Sequence, residues 1–402
     1  MLIGIEEANI RGGILKNKFF VNQPEDSKKL YVDLLEVIGS LSNLFAESNN
    51  PFLYYRAMEN VFCKAFKADN LSRSDVSADA GKNGIGIGLK TFLQNNGNTF
   101  QKVAEFNKES YLFRNLQGLE LIKKVSEMRN ERIKSTMRIC NLSDMMYHLV
   151  TRSNKYMAIY EEPMDLVDVD KIELKAENKT TIHFTDRVND YSFSISKSTL
   201  LKRFDTSENK KIFGFNVNIL EDPYDFLLSA KNKTAVREIE QASLCEVDDY
   251  IILPLYSTRT NKVEEHSGLN QWNAKGRVRN EDEVYVSIPK WIHRDKKDFF
   301  TYNTEDNKTA PFEVRLPNGN MLCMKVAQQG GKALMSNPNA ALGKWLLRDI
   351  LKLKKGHLVT KGQLDIIGID SIKLTKLKDG TYILDFLKSG SFEEFEENFR
   401  VS

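Results

Sequence analysis

Cysteine is sparse in this 402-residue chain, and the four that occur, Cys63, Cys140, Cys245 and Cys323, lie far apart with no CxxC pair. That removes the spacing of a structural zinc site, argues against a disulfide framework, and leads us to expect a reducing, cytoplasmic setting. Histidine is equally thin: His148, His183, His266, His293 and His357 fall at no metal-binding spacing. Long apolar runs are missing too. None reaches the roughly 18–20 residues that cross a bilayer, and Met1-Leu2-Ile3-Gly4-Ile5-Glu6-Glu7 has no basic stretch followed by an apolar one. Neither a membrane span nor a secretory signal is expected. A strong charge of one sign is absent as well. The net charge of +3 means that any surface for a polyanion must come from local clusters.

What is present is an ordinary globular composition, 41% hydrophobic and 28% charged. The length predicts two or three domains. Residues 27–46 carry Leu30, Leu34, Val37, Ile38, Leu41, Leu44 and Phe45 at helical spacing. Asn49-Asn50-Pro51 ends that helix. A second follows with Tyr55, Met58, Phe62 and Phe66 on its apolar side, and it also carries Arg56 and Glu59. The period then changes to that of strands. Residues 74–80 read as one strand, Gly81-Lys82-Asn83-Gly84 as a turn, and Ile85–Phe92 as the returning strand. Gln101–Phe106 reads as a further strand. An apolar stripe from Leu112 to Met128 predicts a long helix, and Ser143 is placed as the cap of another helix through Arg152.

Tyr156–Tyr160 and four segments between 168 and 220 (171–176, 180–185, 191–195 and 213–219) read as short strands, and 222–245 as mostly helical. Beyond residue 249 short strands dominate, with one clear helix after Asn337-Pro338. Strands are expected at 364–369, 372–377 and 382–387, the last two joined by a turn at Lys378-Asp379-Gly380. The expected division is 1–245 and 246–402, with 165–245 as a β-rich extension or bridge.

Two constellations carry chemistry. In the first, Asp75, Ser77 and Asp79 share one face of a strand, while Gly88 and Lys90 share a face of its hairpin partner. Phosphodiester hydrolysis needs a metal held by carboxylates, an activated water and a cation against the charge on phosphorus. A hairpin bearing acids and a lysine can supply these. Competing chemistries lack their marks: no helix opens after Gly84-Ile85-Gly86-Ile87-Gly88 to bind a phosphate, and there is no HxK pair or GxSxG elbow. In the second, the loop Tyr256–Gln271 runs into Trp272-Asn273-Ala274-Lys275-Gly276-Arg277-Val278-Arg279-Asn280, and then into the expected strand Glu283–Pro289. A second polar loop, 328–339, offers Gln328, Gln329, Lys332, Ser336 and Asn337. Such residues hydrogen-bond base edges and phosphates.

The hairpin resembles the PD-(D/E)xK nuclease core, and Ile87-Gly88-Leu89-Lys90-Thr91 is similar to the lysine strand of mismatch-repair nickases and related restriction enzymes. The resemblance implies an α/β nuclease domain, a central mixed sheet with flanking helices. Asp79, Asp75 and Glu59 or Glu105 would hold Mg2+, and Lys90 would position the attacking water. The acid expected two residues before the lysine is Gly88, so a ligand must come from elsewhere. Ser267-Gly268-Leu269-Asn270, Arg277 with Arg279, Gln328–Lys332 and Asn339 through Trp345-Leu346 together resemble the DNA-recognition domain of the BfiI, EcoRII and NgoFVII kinds of restriction enzyme, which is related to the plant B-three domain. That likeness covers about residues 250–390. It implies a C-terminal β-pseudobarrel gripping double-stranded DNA with two arms, Ser267–Arg279 and Gln328–Asn337. The DNA contacts would then include Ser267, Asn270, Gln271, Trp272, Asn273, Lys275, Arg277 and Arg279 in the first arm.

The combined expectation is a type II restriction endonuclease leaving 5′-phosphate ends. A cognate methyltransferase would be its functional partner, and a homodimer is compatible with it. The alternatives are a sequence-specific DNA-binding protein with a degenerate nuclease half, favoured by Gly88, and a repair-type nickase.

Overall fold

The computed structural model describes residues 18–72, 76–95, 97–233, 249–303, 305 and 307–401. Helix α1 (Glu25–Ser40) starts with Glu25 and Asp26 in its first turn, where acids complement the helix dipole. It buries Tyr31, Leu35 and Gly39, and leaves Leu30 and Val37 exposed. The buried stripe is therefore rotated by about one residue from the one read in the sequence. Helix α2 (Tyr55–Phe66) buries Met58, Phe62 and Phe66 as expected, but Tyr55 is exposed.

Among the described residues the N-terminal half holds two sheets. The six-stranded one runs β1 (Asp69–Asn70), β2 (Ala80–Lys82), β3 (Ile85–Leu93), β5 (Asp144–Ser153), β6 (Tyr156–Pro163) and β11 (Phe213–Asn216). Strands β2 and β3 form a hairpin with Lys82 opposite Ile85. Its two turn residues, Asn83 and Gly84, both have positive φ, the conformation that matches the twist of the strands. The turn is thus two residues long, not four, and β2 begins only at Ala80.

Strand β5 corrects the helix expected after Ser143. It pairs parallel to β3 and antiparallel to β6, and Met145 through Thr151 are all buried. A strand covered on both faces reads as a continuous apolar run, which periodicity alone cannot separate from a helix. Its one histidine, His148, is fully buried and hydrogen-bonds Glu161 at 2.8 Å and the Tyr31 hydroxyl at 3.0 Å.

The five-stranded sheet is β4 (Asn98–Glu105), β10 (Thr199–Asp205), β9 (Asp190–Ser194), β8 (Thr181–Thr185) and β7 (Glu173–Glu177). Helix α3 (Gly118–Ile139) joins the layers. Leu121, Ile122, Val125 and Met128 pack on the five-stranded sheet, Ile133 on the six-stranded sheet, and Ile139 in the C-terminal core. Helix α4 (Pro223–Lys233) follows; the rest of the expected 222–245 helix lies outside the described residues.

The C-terminal region is one curled nine-stranded sheet around a single core. Its path is β12 (Asp249–Pro254), β19 (Ile369–Lys376), β20 (Tyr382–Lys388), β16 (Phe312–Arg315), β17 (Met321–Ala327), β15 (Lys308–Thr309) and β14 (Tyr302–Asn303). Strand β13 (Val286–Ser287) pairs with β18 (Ala333–Ser336), which pairs with β17. The strand expected over 283–289 contracts to β13. Helix α5 (Lys290–Asp295) follows it. The helix after Pro338 is α6 (Ala341–Gly343), continuing as a π-helix over Lys344–Ile350.

Residues 364–369, expected as a strand, mostly form helix α7 (Lys361–Ile367). Thr360 and Gln363 make a reciprocal capping box there, and Lys361 pairs with Asp365 one turn on. The acidic tail forms α8 (Ser391–Val401). No described helix is long and apolar enough to cross a membrane.

Candidate nucleic-acid interface and the carboxylate hairpin

The two polar loops enter adjacent strands of the curled sheet. The first leads into β13; the second, expected as one loop over 328–339, is interrupted by β18, so that only 328–332 lead into it, and the two strands pair antiparallel with Val286 opposite Leu334 and Ser287 opposite Ala333. The arms therefore arrive from opposite ends of one short ladder.

In the first arm, polar residues divide by depth. Asn270 is fully buried. Its amide donates to the carbonyls of Glu264 at 3.1 Å and Val359 at 3.0 Å, and its oxygen accepts from the Val359 N–H at 2.8 Å. Gln271 is also buried and donates to Glu283. Trp272 packs on the core, and Asn273 donates to the Glu265 carbonyl at 3.0 Å.

Glu283 is the buried charge that organises the arm: Arg277 forms a salt bridge to it, and Arg279 lies 3.9 Å away. Arg279 also donates to the Ala274 carbonyl at 2.8 Å, which satisfies arm backbone. Arg348 fixes the base from the helix side, bonding Asp282 at 2.7 Å and the Glu281 carbonyl at 3.0 Å. Gly343 permits this close approach, since a Cβ there would lie 2.0 Å from the Asp282 carbonyl oxygen. What remains at the surface is the tip, with Lys275, Gly276, Arg277 and Val278 exposed. Ser267 is half-buried and lines a 490 Å3 cleft with Thr258, Arg259 and Ser287.

The second arm divides the same way. Ser336 is fully buried, accepting from the Leu342 N–H and donating to the Pro338 carbonyl, both at 2.8 Å. Gln328 is half-buried, and its carbonyl accepts from the Tyr302 hydroxyl at 3.0 Å. Gln329, Lys332 and Asn337 are exposed. Sequence patterning did not single out Glu283 or Arg348. An acid six residues after one arginine and four after another was the available signal.

In the N-terminal half, Asp75 lies outside the described residues. Asp79 stands just before β2, and its carboxylate accepts the Leu89 N–H at 2.7 Å. Glu59 on α2 is buried and pairs with Arg56 at 2.8 Å. Burial pushes the Glu59 carboxyl above its ordinary pKa, Arg56 opposes this, and the negative charge of Asp79 adds to it. Two like charges in one neighbourhood is the arrangement that a cation relieves, so this pair fits one side of a metal site. Among the described residues no group of three or more potential ligands converges.

Lys90 and Glu105 are elsewhere. Ile87 and Leu89 of β3 pack under α2, whereas Lys90 faces α3 and lines a 530 Å3 cavity with Ser77, Glu105, Arg129 and Arg132. Lys102 holds Glu105 at 2.8 Å, and that hydrogen bond lowers the Glu105 carboxyl pKa. The structure thus brings Glu59 to Asp79 and Lys90 to Glu105, on different faces of the sheet. Gly88 has a packing reason: a Cβ there would lie 2.7 Å from Met164 and 3.0 Å from Tyr147.

A family profile for the NgoFVII C-terminal B3-like DNA-binding domain matches residues 248–378. The region is a restriction-enzyme-type DNA-recognition domain, and the curled sheet agrees with a B3-like pseudobarrel. Such a domain points to sequence-specific binding of double-stranded DNA. No curated protein matches the chain.

Proposed function

We propose that the protein is a type II restriction endonuclease. In this reading it binds a specific double-stranded DNA sequence through the two arms and hydrolyses the backbone in its N-terminal half. The carrying observation is the matched recognition domain together with its arm construction. Exposed Lys275, Arg277, Gln329, Lys332 and Asn337 stand on roots tied down by Asn270, Glu283 and Ser336. The exposed tips contact DNA, while Gln271, Trp272, Asn273, Arg279 and Gln328 hold the arms in shape.

For cleavage, Asp79 and Glu59, with Asp75, hold Mg2+, and Glu105 is the alternative acid. These carboxylates would hold the ion, which would supply Lewis-acid polarisation of the phosphoryl group and a more acidic water. Lys90, on the other face of the sheet beside the Glu105 cavity, would orient water and offset charge on phosphorus if the scissile phosphate reaches that side. Products carry 5′-phosphates. A cognate methyltransferase protects the host's sites, and a homodimer cuts both strands.

Plasmid DNA of mixed sequence, incubated with and without Mg2+, tests this reading. Lys90→Ala is expected to slow linearisation by about 10²–10³-fold. Because Asp79 and Lys90 lie on different faces, Asp79→Ala separates two versions. Cutting that survives Asp79→Ala but not Lys90→Ala moves the chemistry to the Glu105 side. A second reading, a DNA-binding protein without catalysis, is favoured by the packed Gly88 position. Sequence-selective binding with no Mg2+-dependent breaks would establish it, and single-strand breaks alone would identify a nickase.

A further inference from the structure

The cavity that Lys90 lines lies between the two halves of the molecule. Its walls come from β3, β4 and α3 on one side and from Ile367, Gly368 and Ile369 on the other. Its charges are unbalanced. The two carboxylates that line it are already neutralised, Glu105 by Lys102 at 2.8 Å and Glu109 by Arg132 at 3.0 Å. Three further cations have no ion-pair partner among the described residues: Lys90, Lys108 and Arg129.

Arg129 is the decisive one. It is only 2% exposed, and its Nε is buried without a hydrogen-bond partner. Its other contacts are neutral, the Asp165 carbonyl at 2.7 Å and the Tyr147 hydroxyl at 3.4 Å, with the Tyr191 ring 5.9 Å away. Asp165 supplies some negative charge to this guanidinium but makes no ion pair with it, and a buried cation with an unused donor gains when an anion arrives. Its planar donor fork suits a tetrahedral oxyanion. The cavity, at 530 Å3, is far larger than a phosphate group and has the Ser77 side chain in its lining, whereas the Ser135 and Thr136 hydroxyls already donate to the Arg132 carbonyl at 2.9 and 2.8 Å.

We propose that this interdomain cavity is an oxyanion site, built around Arg129 with Lys108 and Lys90, that takes a backbone phosphate of the bound DNA. Its DNA source rests on the functional reading above; the oxyanion chemistry does not. The site lies apart from the arm tips. It gives the duplex a second anchor where the recognition domain meets α3, and it joins the two halves through the ligand itself.

Two measurements on the full chain test it. Inorganic phosphate, compared with chloride at matched ionic strength, should raise the melting temperature of the native protein by about 2 °C near tenfold saturation. Lys108→Ala and Arg129→Gln should abolish that rise. Lys108→Ala serves as the informative variant if Arg129→Gln does not fold, because Lys108 is exposed. Second, the salt dependence of binding to a mixed-sequence duplex should fall in slope by about 0.9 for Lys108→Ala, the loss of one phosphate contact. Phosphate protection with an unchanged slope would keep the oxyanion site but overturn its DNA source. Absence of both effects, in a protein that still binds duplex through its arms, overturns the proposal. A native chain that binds no duplex at all while phosphate still protects it sinks the functional reading and leaves the oxyanion site standing.

Discussion

The recognition domain and the N-terminal half treat charged side chains differently. In the arms, Asn270, Glu283 and Ser336 are satisfied by neighbouring side chains and backbone and make a scaffold, although Gln271 Oε1, Trp272 Nε1 and Arg279 Nε are buried without a hydrogen-bond partner. In the N-terminal half, charge crowds together: Glu59, held by Arg56, feels the negative charge of Asp79 on one face of the sheet, and Arg129 and Lys90 stand on the other with no ion-pair partner among the described residues. The first pattern braces the roots of the arms. The second leaves charged groups waiting for counter-charge, which is how sites that bind ions or anions are built.

The largest effect that tests this contrast is expected at Asn270. Asn270→Ala strands two carbonyls and one N–H in the core, and should cost about 3 kcal/mol by urea unfolding; a loss under 1 kcal/mol would mean that the arm root is not a scaffold. Asp370 comes next. Burial raises its carboxyl pKa to about 6, against the opposing pull of Lys361. A raised folded pKa means that the folded chain keeps its proton longer than the unfolded chain. Stability therefore falls as pH rises from about 4 to about 6, on the order of 2 kcal/mol in all. Asp370→Asn should flatten that slope, and an unchanged pH profile would reject the assignment. Smaller still is Lys275→Ala at the arm tip, where the side chain is exposed. It should weaken DNA binding by about 1–2 kcal/mol while moving stability by less than about 0.5 kcal/mol. Equal losses in binding and stability would erase the distinction between tip and root.

How much was legible depended on whether burial left a period behind. Helices α2 and α3, the hairpin, and β12, β19 and β20 show clean periods. Strand β5 does not, because both its faces are covered. Strand β10 was passed over because Lys202 stands between Leu200 and Phe204 on its inward face. The lysine is 2% exposed and held by Glu162, across the sheets, so a charge sits where an apolar residue would mark the strand. Helix α7 hid similarly, since Asp365 is buried among Leu364 and Ile367 and breaks their stripe; the Thr360-x-x-Gln363 cap was the better signal. In the candidate sites, residue types were legible and depth was not. Asn270 and Lys275 look alike in sequence, yet one is a strut and the other a fingertip. That Lys90 and Glu105 line one cavity depends on how the chain passes from β3 in the first sheet to β4 in the second, which no local pattern encodes.

The salt bridge between Arg277 and Glu283 has a consequence for how the arm meets its target. Arg277 cannot give its full charge to an incoming phosphate without loosening its hold on a buried carboxylate. Arg279, already close to Glu283, limits the damage when it does so. The arginine is therefore held on a spring, with an internal competitor that every passing anion must beat. A stray stretch of duplex, offering one phosphate in a poor position, gains little from that exchange. A site whose groove matches the arm gains several contacts at once. In the proposed reading, a tip built this way is quiet on the wrong DNA and engaged on the right one, and the acid that looks like a blemish in a basic arm becomes its filter.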